Sequence, residues 1–247
     1  MLLAYIISNL ITATLSLILG IFVYSKNRKN NINITFALMN LSIAIWAFGF
    51  AMAISAPNKE WGVFWVRILN IGSILIPMFF LHFVFSFIKI EKKEETKLII
   101  AYAICIFFLI LSFTPFYNSG VKPKLDFYYY AVSGSLYFLY VLMLPSYIIY
   151  GLYKLYNEYK SQSGFYKNQI IYIIFASLVG FGGGLSACLP VFDINFYPLG
   201  QLFFPLESFI ISYAIVKHRL MDIDFVLRKS AVYLCASSLY LLPLIVI

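Results

Sequence analysis

The stretch PLGQLFFPLESFIISYAIVKHRLMDIDFVLRK, residues 198–229, decides the fold class. From about Leu199 to Val216 it is an apolar run long enough to cross a bilayer as a helix rising about 1.5 Å per residue. The run stops at Lys217-His218-Arg219. Beyond it, Asp222 and Asp224 alternate with Leu220, Met221, Ile223, Phe225, Val226 and Leu227. A membrane domain that hands a displacement to an output ends in this way, so 217–229 is expected as a cytoplasmic exit helix.

The rest of the chain repeats the apolar pattern. Six further runs precede the quoted one: 2–24, 32–54, 61–88, 98–115, 131–153 and 170–189. With 62% hydrophobic and 11% charged residues, the chain lacks the polar surface of a soluble domain, which uses about 25% charged residues. Unbroken runs of this length exclude a β-barrel, whose strands alternate polarity over about ten residues. The expectation is an all-α, polytopic transmembrane helical bundle with seven spans over 1–216. A further apolar run, 230–247, is expected to begin an eighth span. It lacks a polar flank, and the chain is therefore expected to be the N-terminal part of a longer protein or a truncated reading frame.

The net charge of +8 is a topology signal and points to no nucleic-acid partner, because Lys and Arg lie in the segments between apolar runs. Alternate segments carry fourteen of them on one side and four on the other, with Arg67 counted among the four. That bias places the N-terminus outside and residues 217–229 in the cytoplasm. The first run lacks the basic n-region and small-residue cleavage pattern of a signal peptide, so it is read as a retained span. Cys105, Cys188 and Cys235 lie in or beside apolar runs without CxxC spacing, which suits packing and neither a metal site nor a redox motif.

Residues 212–233, SYAIVKHRLMDIDFVLRKSAVY, resemble the end of the seven-helix sensor region at the N-terminus of bacterial histidine kinases. The Trp46 region, the Trp61–Arg67 start of the third run and PMFFLHFVF at 77–85 add to the resemblance, which covers nearly the whole chain. It implies a bacterial inner-membrane sensory domain of two-component signalling, acting as a homodimer. Its output, a kinase or another cytoplasmic domain, would lie in cis or in trans. The sequence has no phosphoacceptor box and no Gly-rich ATP lid, and His218 lies at a membrane boundary between Lys217 and Arg219. The chain as given is expected to be catalytically silent, with no cofactor.

Ionisable residues within a span cost about 2.5–3.5 kcal/mol each by insertion scales, so each calls for a partner or a task. Arg67, His82 and Glu207 qualify. Arg67 and Glu207 lie at similar depth from the outer side. One reading has them facing a shared outer-leaflet cavity as a ligand site or switchable ion pair; the other has a static pair, or a snorkelling Arg67 beside a protonated Glu207. His82 lacks a second ligand at metal spacing. It reads as a hydrogen-bonded packing residue or, alternatively, a proton sensor. Asn40 and Asn70 suit interhelical hydrogen bonds. Gly180, Gly182, Gly183 and Gly184 suit close helix packing or a hinge, and Pro77, Pro145 and Pro205 are expected to interrupt their helices.

The leading functional reading is a sensor whose bundle repacks when an unknown small ligand binds near its outer face or within the bilayer. The competing reading is a small-molecule transporter or channel. Against it stand the lack of an inverted repeat and of paired broken helices. Retinal chemistry lacks a buried lysine in the seventh run. Intramembrane hydrolysis lacks paired aspartates, a Ser with a base and an HExxH motif.

Overall fold

Asparagine side chains start two of the membrane helices. The computed structural model describes residues 1–207 with Ile210, Ile211 and Ala214. After α1 (Leu2–Lys26), Asn30 accepts a hydrogen bond from the Ile32 amide at 2.9 Å and opens α2 (Asn31–Ile54). Asn58 does the same for Trp61 at 3.0 Å and opens α3 (Lys59–Phe87), with Glu60 in the first turn. Such caps satisfy amides that a helix start leaves orphaned, and an acid there complements the helix dipole.

The chain continues through α4 (Glu95–Leu111), a hairpin of β1 (Asn118–Lys124) and β2 (Phe127–Ser133), α5 (Tyr137–Ser161) and α6 (Gly164–Ser186). Two 3-10 turns follow, Pro190–Phe192 and Leu199–Phe203, and helical structure resumes at Phe204. The fold is all-α around one hairpin. Five helices among the described residues are long and apolar enough to cross a membrane: α1, α2, α3, α5 and α6. The fourth, α4, has 17 residues. The seventh expected span lies largely outside the described residues, as does the whole exit segment with Lys217, His218, Arg219, Asp222 and Asp224.

Helices α2 and α3 form the spine, and glycine brings them together. A Cβ on Gly72 would lie 2.5 Å from the Trp46 amide nitrogen and 2.6 Å from the Ser42 carbonyl, so only glycine admits this crossing. Small residues at helix crossings give the van der Waals contact that drives association where lipid is as apolar as the side chains. Phe36, Phe80, Phe83, Phe85, Ile74 and Met78 fill the core on this spine, each at most 1% exposed. The apolar faces of α4 and α5 point the other way, with Ile99, Ile110, Leu142 and Ile149 all more than half exposed. Such faces fit lipid.

Three expectations need correction. Residues 131–133, assigned above to the fifth span, belong to β2, and α5 starts at Tyr137. Opposite Lys122 and Lys124 the register slips, a β-bulge that re-aims side chains. Phe127 and Tyr130 are both buried as a result, while Tyr128 between them is 58% exposed. The polar segment 154–169 is not a loop: α5 runs to Ser161, and α6 begins at Gly164. Its lysines lie over tyrosine rings, Lys160 at 4.4 Å from Tyr156 and Lys167 at 4.4 Å from Tyr159. Charges carried this way extend a helix beyond the apolar layer. Pro77 and Pro145 do not interrupt their helices; both sit inside continuous α-helix. Neighbouring groups can satisfy the carbonyl that an intramembrane proline frees.

Candidate functional site: an acid-bearing cavity under the hairpin

A cavity of about 100 Å³ lies among α2, α3, α5 and α6. Residues Tyr129, Tyr130 and Ala131 of β2 wall it at the hairpin end, and Phe204 and Glu207 close it from the seventh run. Its lining is mostly apolar and aromatic. Trp46 meets Phe204 edge to face, with ring centroids 4.8 Å apart.

Most of the polar groups around the cavity are already engaged. Tyr140 donates its hydroxyl proton to the Ser73 carbonyl at 3.1 Å, Tyr130 to the Ala187 carbonyl at 2.7 Å, and Ser73 to the Asn70 carbonyl at 3.0 Å. Two of the groups left open bear on its chemistry. The Asn70 amide nitrogen is buried without a partner. Glu207 has no hydrogen bond or ion pair among the described residues. Buried polar groups in native proteins are nearly always paired, so the open Asn70 amide, on one cavity with a part-buried carboxyl that has no partner among the described residues, points to an occupant.

Packing places Glu207 there. Its carboxyl lies against Gly180 of α6, where any Cβ would collide with it. One turn on, Gly183 meets Gly200 backbone to backbone. Of the four glycines read as packing residues, Gly180, Gly183 and Gly184 take neighbours in this way, and Gly182 faces open space. Glu207 also lines a smaller cavity of about 10 Å³ between α1 and α2, with Thr12, Ser16 and Asn40. It thus stands where the two cavities meet.

Arg67 is not its partner. The arginine is exposed on α3, whereas Val66, Leu69 and Asn70 on the same helix line the cavity. It occupies a different face of the helix from those residues. Asn40 and Asn70 do not bridge helices as expected: Asn40 donates within α2 to the Phe36 carbonyl at 3.0 Å, and the Asn70 amide is open.

His82 lies at the opposite end of the bundle in a polar cluster. Its Nδ1 is 2.7 Å from the Tyr102 hydroxyl, and its Nε2 is 3.2 Å from a Glu91 carboxylate oxygen. Ser86 and Asn31 also donate to Glu91. Burial alone would raise the Glu91 carboxyl, but these donors and His82 outweigh it and hold it below the usual range. Beside the cluster, Glu94 starts α4 and binds Lys97 and Lys154, each at 2.6 Å, with the Tyr150 hydroxyl at 3.1 Å. Those bonds pull its carboxyl down to about 2. Charge counting found these loop acids but gave no reason to pair them with α3 or α5, because 56 or more residues separate Glu94 from Tyr150 and Lys154.

The hairpin is tied to the segment after α6. Lys124, 7% exposed, binds Asp193 at 2.9 Å and donates to the Pro190 carbonyl at 2.6 Å. Lys122 reaches the same Asp193 at 2.9 Å. No cluster of three metal-ligating side chains occurs among the described residues, and Cys105 and Cys188 are free thiols.

Five helices long and apolar enough to span, four of which surround an acid-bearing apolar cavity, define a multi-pass helical membrane protein, with no cluster of three metal-ligating side chains among the described residues. The family described as the N-terminal 7TM region of histidine kinase matches residues 8–224, and the chain belongs to that family. No curated protein and no solved structure matches it.

Proposed function

We propose that this sensory input region of a histidine kinase receives its signal in the cavity under the hairpin and reports it through the helix that carries Glu207. The observation that carries the reading is the Glu207 carboxyl, without a partner among the described residues, at the junction of two cavities on the run that leads to 217–229. Occupancy that engages Glu207 changes how this helix packs against Gly180, Trp46 and Ala13, whose neighbours Phe204 and Glu207 are. A ligand shifts such a bundle only by binding its two packings unequally, and an unpaired acid supplies that difference.

The charge bias supports seven spans with the N-terminus outside a bacterial inner membrane and the exit segment inside. The hairpin and its cavity then face outward, and Lys217, His218, Arg219, Asp222 and Asp224 pass the displacement to a kinase or other output domain, in cis or in trans, within a homodimer. An acid lodged against a glycine favours coupling to a neighbouring helix over the transporter reading.

The test is a distance measurement. Spin labels at Val216→Cys and Lys93→Cys, with the three native cysteines replaced by alanine, are read in lipid nanodiscs with Glu207 intact and with Glu207→Gln. The expected result is a shifted distance distribution in the glutamine variant. Identical distributions would refute coupling through Glu207.

A further inference from the structure

We infer that the cavity takes a small, mostly hydrocarbon amine, its nitrogen held by the Glu207 carboxyl among aromatic rings. The inference rests on the reading of this cavity as the input site and adds the chemistry of what enters.

Three observations lead there. First, the cavity holds an acid without a base: Arg67 is exposed on another face of α3, and no lysine, arginine or histidine of the described residues lines the space. Tyrosine hydroxyls that could have served the carboxyl give their protons to Ser73 and Ala187 carbonyls instead. An amine meeting a carboxyl forms a neutral pair sharing one proton: the nitrogen lone pair takes the acid proton, or the ammonium donates to the carboxylate. Neutrality of the pair is what makes the site affordable in an apolar interior.

Second, rings surround the position. Phe204 lies one turn before Glu207, Trp46 packs on Phe204, and Phe181 neighbours Gly180 on the same wall. Ring faces attract a cationic nitrogen most strongly where water is excluded. Third, about 100 Å³ admits a compact ligand with a single ring or a short branched chain. The open Asn70 amide would take an acceptor atom if the ligand carries one.

Benzylamine, benzyl alcohol and toluene test this as a matched set against the whole chain in zwitterionic nanodiscs, where anionic lipid cannot capture the amine. Thermal unfolding and direct titration are the readouts. Benzylamine is expected to bind the native protein at least tenfold more tightly than the other two. Glu207→Gln is expected to abolish that preference, and Glu207→Asp to retain it at weaker affinity. If Glu207→Gln does not fold, the native and aspartate proteins still decide the matter. Equal binding of all three, unchanged in Glu207→Gln, would overturn the amine and leave the cavity as input site. No binding by any of them would overturn both.

Discussion

The carboxyl of Glu207 rests directly on Gly180 of α6, with no room for even a methyl group between them. A glycine and an acid in separate apolar runs are thereby a single packing unit, and the helix of the acid cannot move without leaving α6. Gly180→Ala is expected to destabilise the fold by about 1–3 kcal/mol, the usual cost of overpacking. Gly182→Ala, which meets nothing within 4 Å, is expected to be neutral or to stabilise by up to about 1 kcal/mol through helix propensity. Thermal unfolding in detergent compares the two, and equal midpoints would contradict the contact.

Arg67 and Glu207 occupy different faces of the packing and share no ion pair. Stability changes of Arg67→Ala and Glu207→Ala are expected to add within about 0.5 kcal/mol, as for independent sites. A larger coupling energy in the double-mutant cycle would restore the ion-pair switch.

Glu94 clamps the start of α4 to α5 through Lys154 and Tyr150. Its folded-state value of about 2 lies below the ordinary 4.5. Its contribution is therefore complete above the ordinary value and is lost as pH falls through the folded one. Glu94→Gln is expected to lower the unfolding midpoint at neutral pH, and its difference from the native protein is expected to shrink as the pH drops across that window. A difference that stayed constant with pH would remove the clamp from the account of stability.

Lys124 fastens the hairpin to the segment after α6 through Asp193 and the Pro190 carbonyl. Lys124→Met is expected to speed amide hydrogen exchange across Asn118–Lys124 and Phe127–Ser133 at least about tenfold, equivalent to about 1.4 kcal/mol of local opening. Exchange in α2 and α3 is expected to stay unchanged. Uniform acceleration of the whole chain would mean that the lysine supports global stability instead of this local tie.

Five of the seven expected spans were legible because a bilayer imposes a one-dimensional rule: backbone groups must be satisfied within the segment, so a long apolar run is a helix. Asn30 and Asn58 cap two helix starts by local chemistry, a signal that the apolar runs did not use. Tyrosine-rich β2 was read as the beginning of a span, since periodicity cannot separate a short apolar strand from a helix start. The stretch 154–161, outside the apolar runs, continues α5, because a polar composition and a helix are compatible once lysines lie over tyrosine rings.

The candidate site divides along the same line. Sequence singled out Glu207 and His82, because an ionisable group in an apolar run stands out against its neighbours. It proposed Arg67 as the partner from depth, which fixes position along a helix but not around it, and 100° per residue is enough to turn a side chain from a cavity to the surface. The fit of Gly180 to Glu207 and the tie from Lys124 to Asp193 join residues of separate segments, and the open Asn70 amide depends on which groups the packed bundle leaves unpaired. What the sequence by itself determined was the solvent of each segment, because hydropathy is a local property of side chains. Only the tertiary structure decided which polar groups found partners, because hydrogen-bond satisfaction belongs to the packed bundle as a whole.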